Sequence, residues 1–200
     1  MVKRSRQVYP SKRKKPGRKS RASWNFQWKI LTRIFFAALL IAFLITHFLL
    51  SSTRVEGRSM APTLQEGDRL FVDKMGTRIS ALHRGDIIVF RSPDENKDYI
   101  KRIIAFPQEY VQIDEGLVYI NGKRLDEPYI DSAYTHTSDH KEWYVGEDQV
   151  FVLGDNRAEG ASRDSRAFGP IERSALKGHA FFRYLPIGRM GGMNKDVLSK

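Results

Sequence analysis

Residues 34 to 50 read IFFAALLIAFLITHFLL, an uninterrupted run of 17 residues without a charge. As a helix this run would be about 26 Å long at ~1.5 Å per residue. With Ile30 to Arg33 added at its inner edge, where Arg33 can snorkel, it reaches the ~30 Å of a bilayer core. The flanks are unequal. Twelve Lys/Arg and no Asp/Glu precede the run, whereas only Arg54 and Arg58 follow it closely. The positive-inside rule then places the N-terminus in the cytoplasm and residues 51–200 outside it. A cleavable export signal shares the basic and apolar regions, but no Ala-x-Ala site follows and cleavage would leave Ser59 near a new N-terminus, so an uncleaved single-pass anchor is favoured.

That anchor changes what the composition implies. A formal net charge of +11 suggests a nucleic-acid partner, yet after position 50 only 22 of the 34 basic residues remain, against all 23 acidic ones. No nucleic acid is expected. Residues 1–33 read as a basic, disordered cytoplasmic tail with too little apolar surface to order itself, and anionic lipid headgroups are its natural partner. The remaining 150 or so residues suit one domain. The absence of cysteine excludes disulfides, cysteine-ligated zinc and a thiol nucleophile.

Beyond the anchor, short alternating stretches replace helical periodicity. Residues 69–74, 86–92, 99–106, 110–116, 117–125 and 149–155 read as strands, Asn121-Gly122 as a hairpin turn, and 171–176 as a short helix. The domain 51–200 is therefore expected to be mainly β.

Three stretches of it could carry chemistry. In "RSMAPTL", residues 58–64, a serine needs a base before it can act as a nucleophile. His83, His136, His140 and His179 lack motifs of their own, and no set of metal ligands is present. A lysine remains. Lys101 lies in "YIKRIIAF", residues 99–106, where strand alternation sets Tyr99, Lys101 and Ile103 on one face and Ile100, Arg102 and Ile104 on the other. One of the two cations must face apolar neighbours. To act as a base near neutral pH, Lys101 needs its pKa lowered by about 3 units, which desolvation can supply. Without burial it would merely snorkel along an edge strand. The third stretch, "LGDNRAEGASRDSRAFGPI" at 153–171, carries two Asp/Arg pairings and small residues, a density beyond the needs of an ordinary loop.

Together these stretches resemble the bacterial type I signal peptidases, membrane-anchored Ser/Lys endopeptidases, and in particular their Gram-positive members. Ser59 to Leu64 match the serine motif S-M-x-P-T-L, Gly85 to Phe90 the G-D-I-[IV]-V-F strand, and Tyr99 to Ile104 the lysine motif. Gly154 to Arg157 with Ser162 to Gly169 match the closing G-D-N-R…S-x-D-S-R-x-[FY]-G. The resemblance implies a signal-peptidase/LexA-like β-fold with a smaller, variable β insertion at 107–148, and no cofactor or metal. It implies Ser59 as nucleophile and Lys101 as general base, with Ser162 hydrogen-bonded to Lys101. Asp164, Arg166 and Arg102 would form a supporting charged cluster, and Asp155 would shape its turn.

Gly57 replaces a serine that donates to the oxyanion in some members, leaving the backbone N–H groups of Ser59 and Gly57 for that task. Val55, Met60, Leu64, Tyr99 and Ile100 are the candidate linings for small substrate side chains. The substrates implied are signal peptides of exported preproteins, cut after Ala-x-Ala. Only eight residues separate Leu50 from Ser59, which keeps the serine within ~30 Å of the anchor's end. Two rival readings are a catalytically silent, anchored assembly factor and a self-cleaving repressor. Retention of Ser59, Lys101 and Ser162 argues against the first, and the membrane span against the second. The extra residues in Ala158 to Ala161 depart from the family's usual spacing and loosen the register of Ser162.

Overall fold

A computed structural model of the chain describes residues 21–44, 49–75, 82–132, 134–138 and 140–193. It contains two units, dividing between Phe43 and Leu44.

In the first unit a helix, α1, runs over Arg21–Leu44, about 36 Å at ~1.5 Å per residue. The window Gln27–Leu44 is apolar enough to cross a membrane, and none of its side chains is buried. This helix starts well before residue 34, so residues 21–33 are helical and not part of a disordered tail. The reason is that charge limits what enters a bilayer, not what forms a helix; Gln, Lys, Leu and Arg all propagate one readily. Residues 1–20 of the tail and 45–48 of the anchor lie outside the described residues. At its other end the apolar run contains a second correction, because Leu50 belongs to a strand.

That strand, β1 (Leu50–Arg54), opens the second unit. It pairs antiparallel with β2 (Arg69–Asp73), Leu50 opposite Asp73 and Arg54 opposite Arg69. Next come β3 (Ile87–Arg91) and β4 (Asp98–Ala105), a hairpin with Ile88 opposite Lys101. Four strands follow in a sheet of their own: β5 (Tyr110–Asp114), β6 (Leu117–Ile120), β7 (Lys123–Arg124) and β8 (Glu142–Tyr144), in the order β7-β6-β5-β8. This smaller sheet falls within residues 107–148. Its Asn121-Gly122 turn has φ of 50° and 76°, the positive pair that a two-residue type I′ hairpin requires. The chain then returns to the large sheet with β9 (Gln149–Leu153), forms the one-turn helix α2 (Ser165–Phe168), and ends in β10 (Ile171–Glu172), β11 (Leu176–Leu185) and β12 (Gly191–Gly192). The segment 171–176 thus forms a two-residue strand and a 3-10 turn at Arg173–Ala175, not a regular helix.

The large sheet runs β1-β2-β11-β3-β4-β9-β10, with β12 against β11. Where only one face is covered the strands alternate: in β2, Leu70 and Val72 are buried while Arg69 and Phe71 are exposed. At the centre both faces are covered. Ile87, Ile88, Val89 and Phe90 of β3 are all buried, Ile87 and Val89 against Val55, Met60 and Leu64, and Ile88 and Phe90 against Ile103, Val150 and Val152. A third core, with Ile104, Phe151 and Leu153 on one side and Val111, Ile113 and Trp143 on the other, joins the smaller sheet to the larger.

Candidate active site

Strand β4 pairs with β3 over Asp98–Arg102 and with β9 from Arg102 onward, and alternation sends successive residues to opposite faces, both of them covered here. Lys101 and Arg102 are the residues caught there, and they are only 4% and 3% exposed. That burial excludes snorkelling for Lys101, although the ladder between β4 and β9 begins only at Arg102.

Lys101 points to Ser59. The serine lies in the connection between β1 and β2, which is held by hydrogen bonds from the Val55 N–H to the Asp68 carbonyl (2.8 Å) and from the Leu64 N–H to the Met60 carbonyl (2.8 Å). Met60 and Leu64 anchor that connection in the core, and the Asn156 N–H donates to the Ser59 carbonyl at 3.0 Å. Lys101 Nζ and Ser59 Oγ are 2.6 Å apart in a hydrogen bond. The Tyr99 ring centroid lies 5.3 Å from Nζ. Burial lowers the Lys101 pKa from its ordinary value to about 8; Asp164 and Asp155 pull it back upward, and Arg166 lowers it further. An ammonium donates to Oγ. Once neutral, the amine has a lone pair to accept the hydroxyl proton.

Behind the pair lie two ion pairs where the sequence suggested one cluster. Arg102 turns to the other side of β4 and grips Asp155, Nε to Oδ1 at 2.8 Å and Nη2 to Oδ2 at 2.6 Å, and also donates to the Gly85 carbonyl at 2.7 Å. Asp164 pairs with Arg166, which donates through Nε at 2.8 Å and Nη2 at 2.8 Å. The Gly154 N–H (2.9 Å) and the Ser162 hydroxyl (2.7 Å) also donate to Asp164. Burial pushes the Asp164 carboxyl up, but Arg166, Gly154 and Ser162 outweigh it and hold the pKa below the usual carboxylate value. Ser162 therefore directs its proton to Asp164, where the resemblance implied a bond to Lys101. Its position is fixed by close packing: a Cβ on Gly154 would fall 2.2 Å from Ser162 Oγ and 2.4 Å from the Ser59 carbonyl oxygen.

A cleft of about 660 Å³ opens beside Ser59, with residues 52–56 along one wall and 95–101 along the other. Val55, Met60, Tyr99 and Ile100 line it. Leu64 does not: it is fully buried among Leu70, Val72 and Ile87, because a side chain at the end of that anchored turn fills the core. Gly57 has φ of 78°, a conformation that costs a glycine little. His179 sits 3.5 Å from Asp86 and has no bond to Ser59. Sequence reasoning missed Glu127, Tyr129 and Thr135, which reach the site from the insertion. No periodicity or spacing marks them, and Glu127 reads as one more solvated charge.

A serine held against a buried lysine beside an open cleft is the arrangement of a serine peptidase. The model of the family described as signal peptidase, peptidase S26, matches residues 28–185, and the chain belongs to that family. It is 39% identical over 162 residues to signal peptidase I T of Bacillus subtilis, covering 76% of this chain and 83% of that protein. With the probable signal peptidase I-2 of Synechocystis it shares 38% over 176 residues, 85% of this chain and 79% of that one. Signal peptidase IB of Staphylococcus aureus is 33% identical over 165 residues, 74% and 85% of the two chains. A solved signal peptidase I from Enterococcus faecalis aligns with a TM-score of 0.42 and 33% identity, over 50% of this chain and 96% of that one. The chain is a membrane-bound serine endopeptidase that removes signal peptides from preproteins. The silent assembly factor finds no support among these relatives.

Proposed function

We propose that Ser59 is the nucleophile and Lys101 the general base of this signal peptidase. The observation that carries the assignment is the 2.6 Å contact between Oγ and the Nζ of a buried lysine. Neutral Lys101 takes the hydroxyl proton as Oγ bonds to the scissile carbonyl carbon. The resulting ammonium gives that proton to the departing amine as the C–N bond breaks, leaving an acyl-enzyme. Lys101, neutral again, removes a proton from water as the hydroxide attacks the acyl carbon, and returns that proton to Ser59 Oγ as the ester C–O bond breaks.

Backbone N–H groups at Ser59 and Gly57 would receive the developing oxyanion. The signal peptide would lie extended in the cleft between residues 52–56 and 98–100, its small side chains against Val55, Met60, Tyr99 and Ile100. The charge asymmetry around α1 supports a cytoplasmic N-terminus and an extracytoplasmic peptidase domain, with the basic residues of the tail on anionic headgroups.

Only the neutral amine can serve as base, so kcat/KM should rise with pH, gaining about tenfold per unit below the Lys101 pKa of about 8 and levelling above it. A rate that is flat from pH 6 to 9, measured on a preprotein whose signal ends in Ala-x-Ala, would remove Lys101 from this role. The assignment of Ser59 is tested in the same detergent assay. Ser59→Ala should leave no product at the Ala-x-Ala site, and a variant that still cuts there would exclude Ser59 as nucleophile.

A further inference from the structure

Among the described residues, the insertion reaches back to the active site through Glu127, Tyr129, Thr135 and His136. Arg157, fully buried, donates through Nε to the Gly154 carbonyl at 2.8 Å. Its other nitrogens go to the insertion: Nη1 to Glu127 Oε2 at 3.0 Å and to Thr135 Oγ1 at 2.8 Å, and Nη2 to Glu127 Oε1. Glu127 is itself 7% exposed at its side chain, and its Oε1 also accepts from the Tyr129 hydroxyl at 2.7 Å. The Tyr129 ring in turn covers the Arg102 guanidinium, 4.0 Å from its carbon to the ring centroid. One carboxylate of the insertion thus reaches Arg157 directly and the Arg102–Asp155 pair through Tyr129.

What Arg157 holds is a residue with no room for a side chain. Gly154 presses on the Ser59 carbonyl and on Ser162, and its N–H is bound by Asp164. Any shift of the Gly154 peptide is passed to the nucleophile's own backbone, and small displacements at a reacting centre are costly in rate. We infer that Glu127 is a positioning residue for catalysis: through the Glu127–Arg157 pair the insertion fixes the Gly154 peptide, and with it Ser59, in register with Lys101. The inference rests on the Ser59/Lys101 reading. It gives the insertion a part in the reaction that does not require it to touch substrate.

The test compares full-length Glu127→Gln, Glu127→Asp and the double variant Glu127→Leu/Arg157→Met with wild type and Ser59→Ala. Each is assayed for kcat and KM on the Ala-x-Ala preprotein and for Tm by circular dichroism. Glu127→Gln leaves Arg157 buried without its counter-charge, which lowers Tm; the double variant removes both charges and recovers it. Positioning predicts that kcat per folded enzyme falls about tenfold or more in Glu127→Gln with KM within twofold. Glu127→Asp should be intermediate, and the double variant should regain stability without regaining kcat, because Gly154 has lost the Arg157 donor. A double variant whose kcat returns with its Tm overturns the inference, as does wild-type kcat in folded Glu127→Gln. Should Ser59→Ala cut as well as wild type, the dyad reading itself fails, a result distinct from either of these.

Discussion

Lys101→Met is expected to lower signal-peptide cleavage by roughly 10²–10⁴-fold while making the protein more stable. Both effects have one origin. Nζ contacts Ser59 Oγ at 2.6 Å, and without it the hydroxyl has no base. The same group is a cation in a site where burial brings its pKa to about 8. Folding therefore carries a cost at neutral pH, where Lys101 is mostly protonated in both the folded and the unfolded chain. Across pH 8 to 10.5 the folded protein loses this proton while the unfolded chain keeps it, so wild-type stability should climb through that window by roughly 3 kcal/mol, at ~1.4 kcal/mol per unit. Methionine has a similar shape and no charge, so the variant should show a higher urea midpoint at pH 7 and lack the alkaline gain. Lys101→Arg should be equally inactive, since guanidinium does not deprotonate in proteins. Cleavage within tenfold of wild type, or a lower midpoint for Lys101→Met, would contradict the account.

Gly154→Ala is the second large effect expected, from a single methyl group. Its Cβ would lie 2.2 Å from Ser162 Oγ and 2.4 Å from the Ser59 carbonyl oxygen. Neither neighbour yields freely: Ser162 donates to buried Asp164, and the Ser59 carbonyl accepts from the Asn156 N–H. Relief must come from moving the loop or the nucleophile. Overpacking of this kind costs about 1–3 kcal/mol of stability, and a shift near 1 Å at the reacting atom costs about 100-fold in rate. The measurement is kcat at a temperature where circular dichroism shows the variant folded. Wild-type kcat there would mean that the loop accommodates the methyl without disturbing Ser59.

How much of this was readable in the residues varies with the range of the interaction that decides it. The strands around Lys101 were legible because alternation is local, and the family resemblance carried by the motifs around Ser59 and Lys101 already implied that the two residues meet. The burial of Lys101 was not legible. It depends on the β1–β2 connection, 42 residues away at Ser59, packing against that face of β4. Arg102 was placed with Asp164 and Arg166, although alternation already sent it to the face away from Lys101; its partner there is Asp155. Strand β11 escaped notice because "LKGHAFFRYL" lacks clean alternation, and its pairings carry register shifts on both sides. Glu127 illustrates the limit. A buried carboxylate and an exposed one are the same letter, and only the fold brings Arg157 to it.

The strand order has a consequence for a chain made from its N-terminus onward. Strand β11 lies between β2 and β3. The β1–β2 pair, whose connection carries Ser59, and the β3–β4 hairpin, which carries Lys101, share no ladder until Leu176–Leu185 is inserted as the strand between them. Synthesis must therefore be nearly complete before the finished sheet can hold Ser59 against Lys101. The peptidase is in this way kept silent until the last long strand of its own sheet has been made.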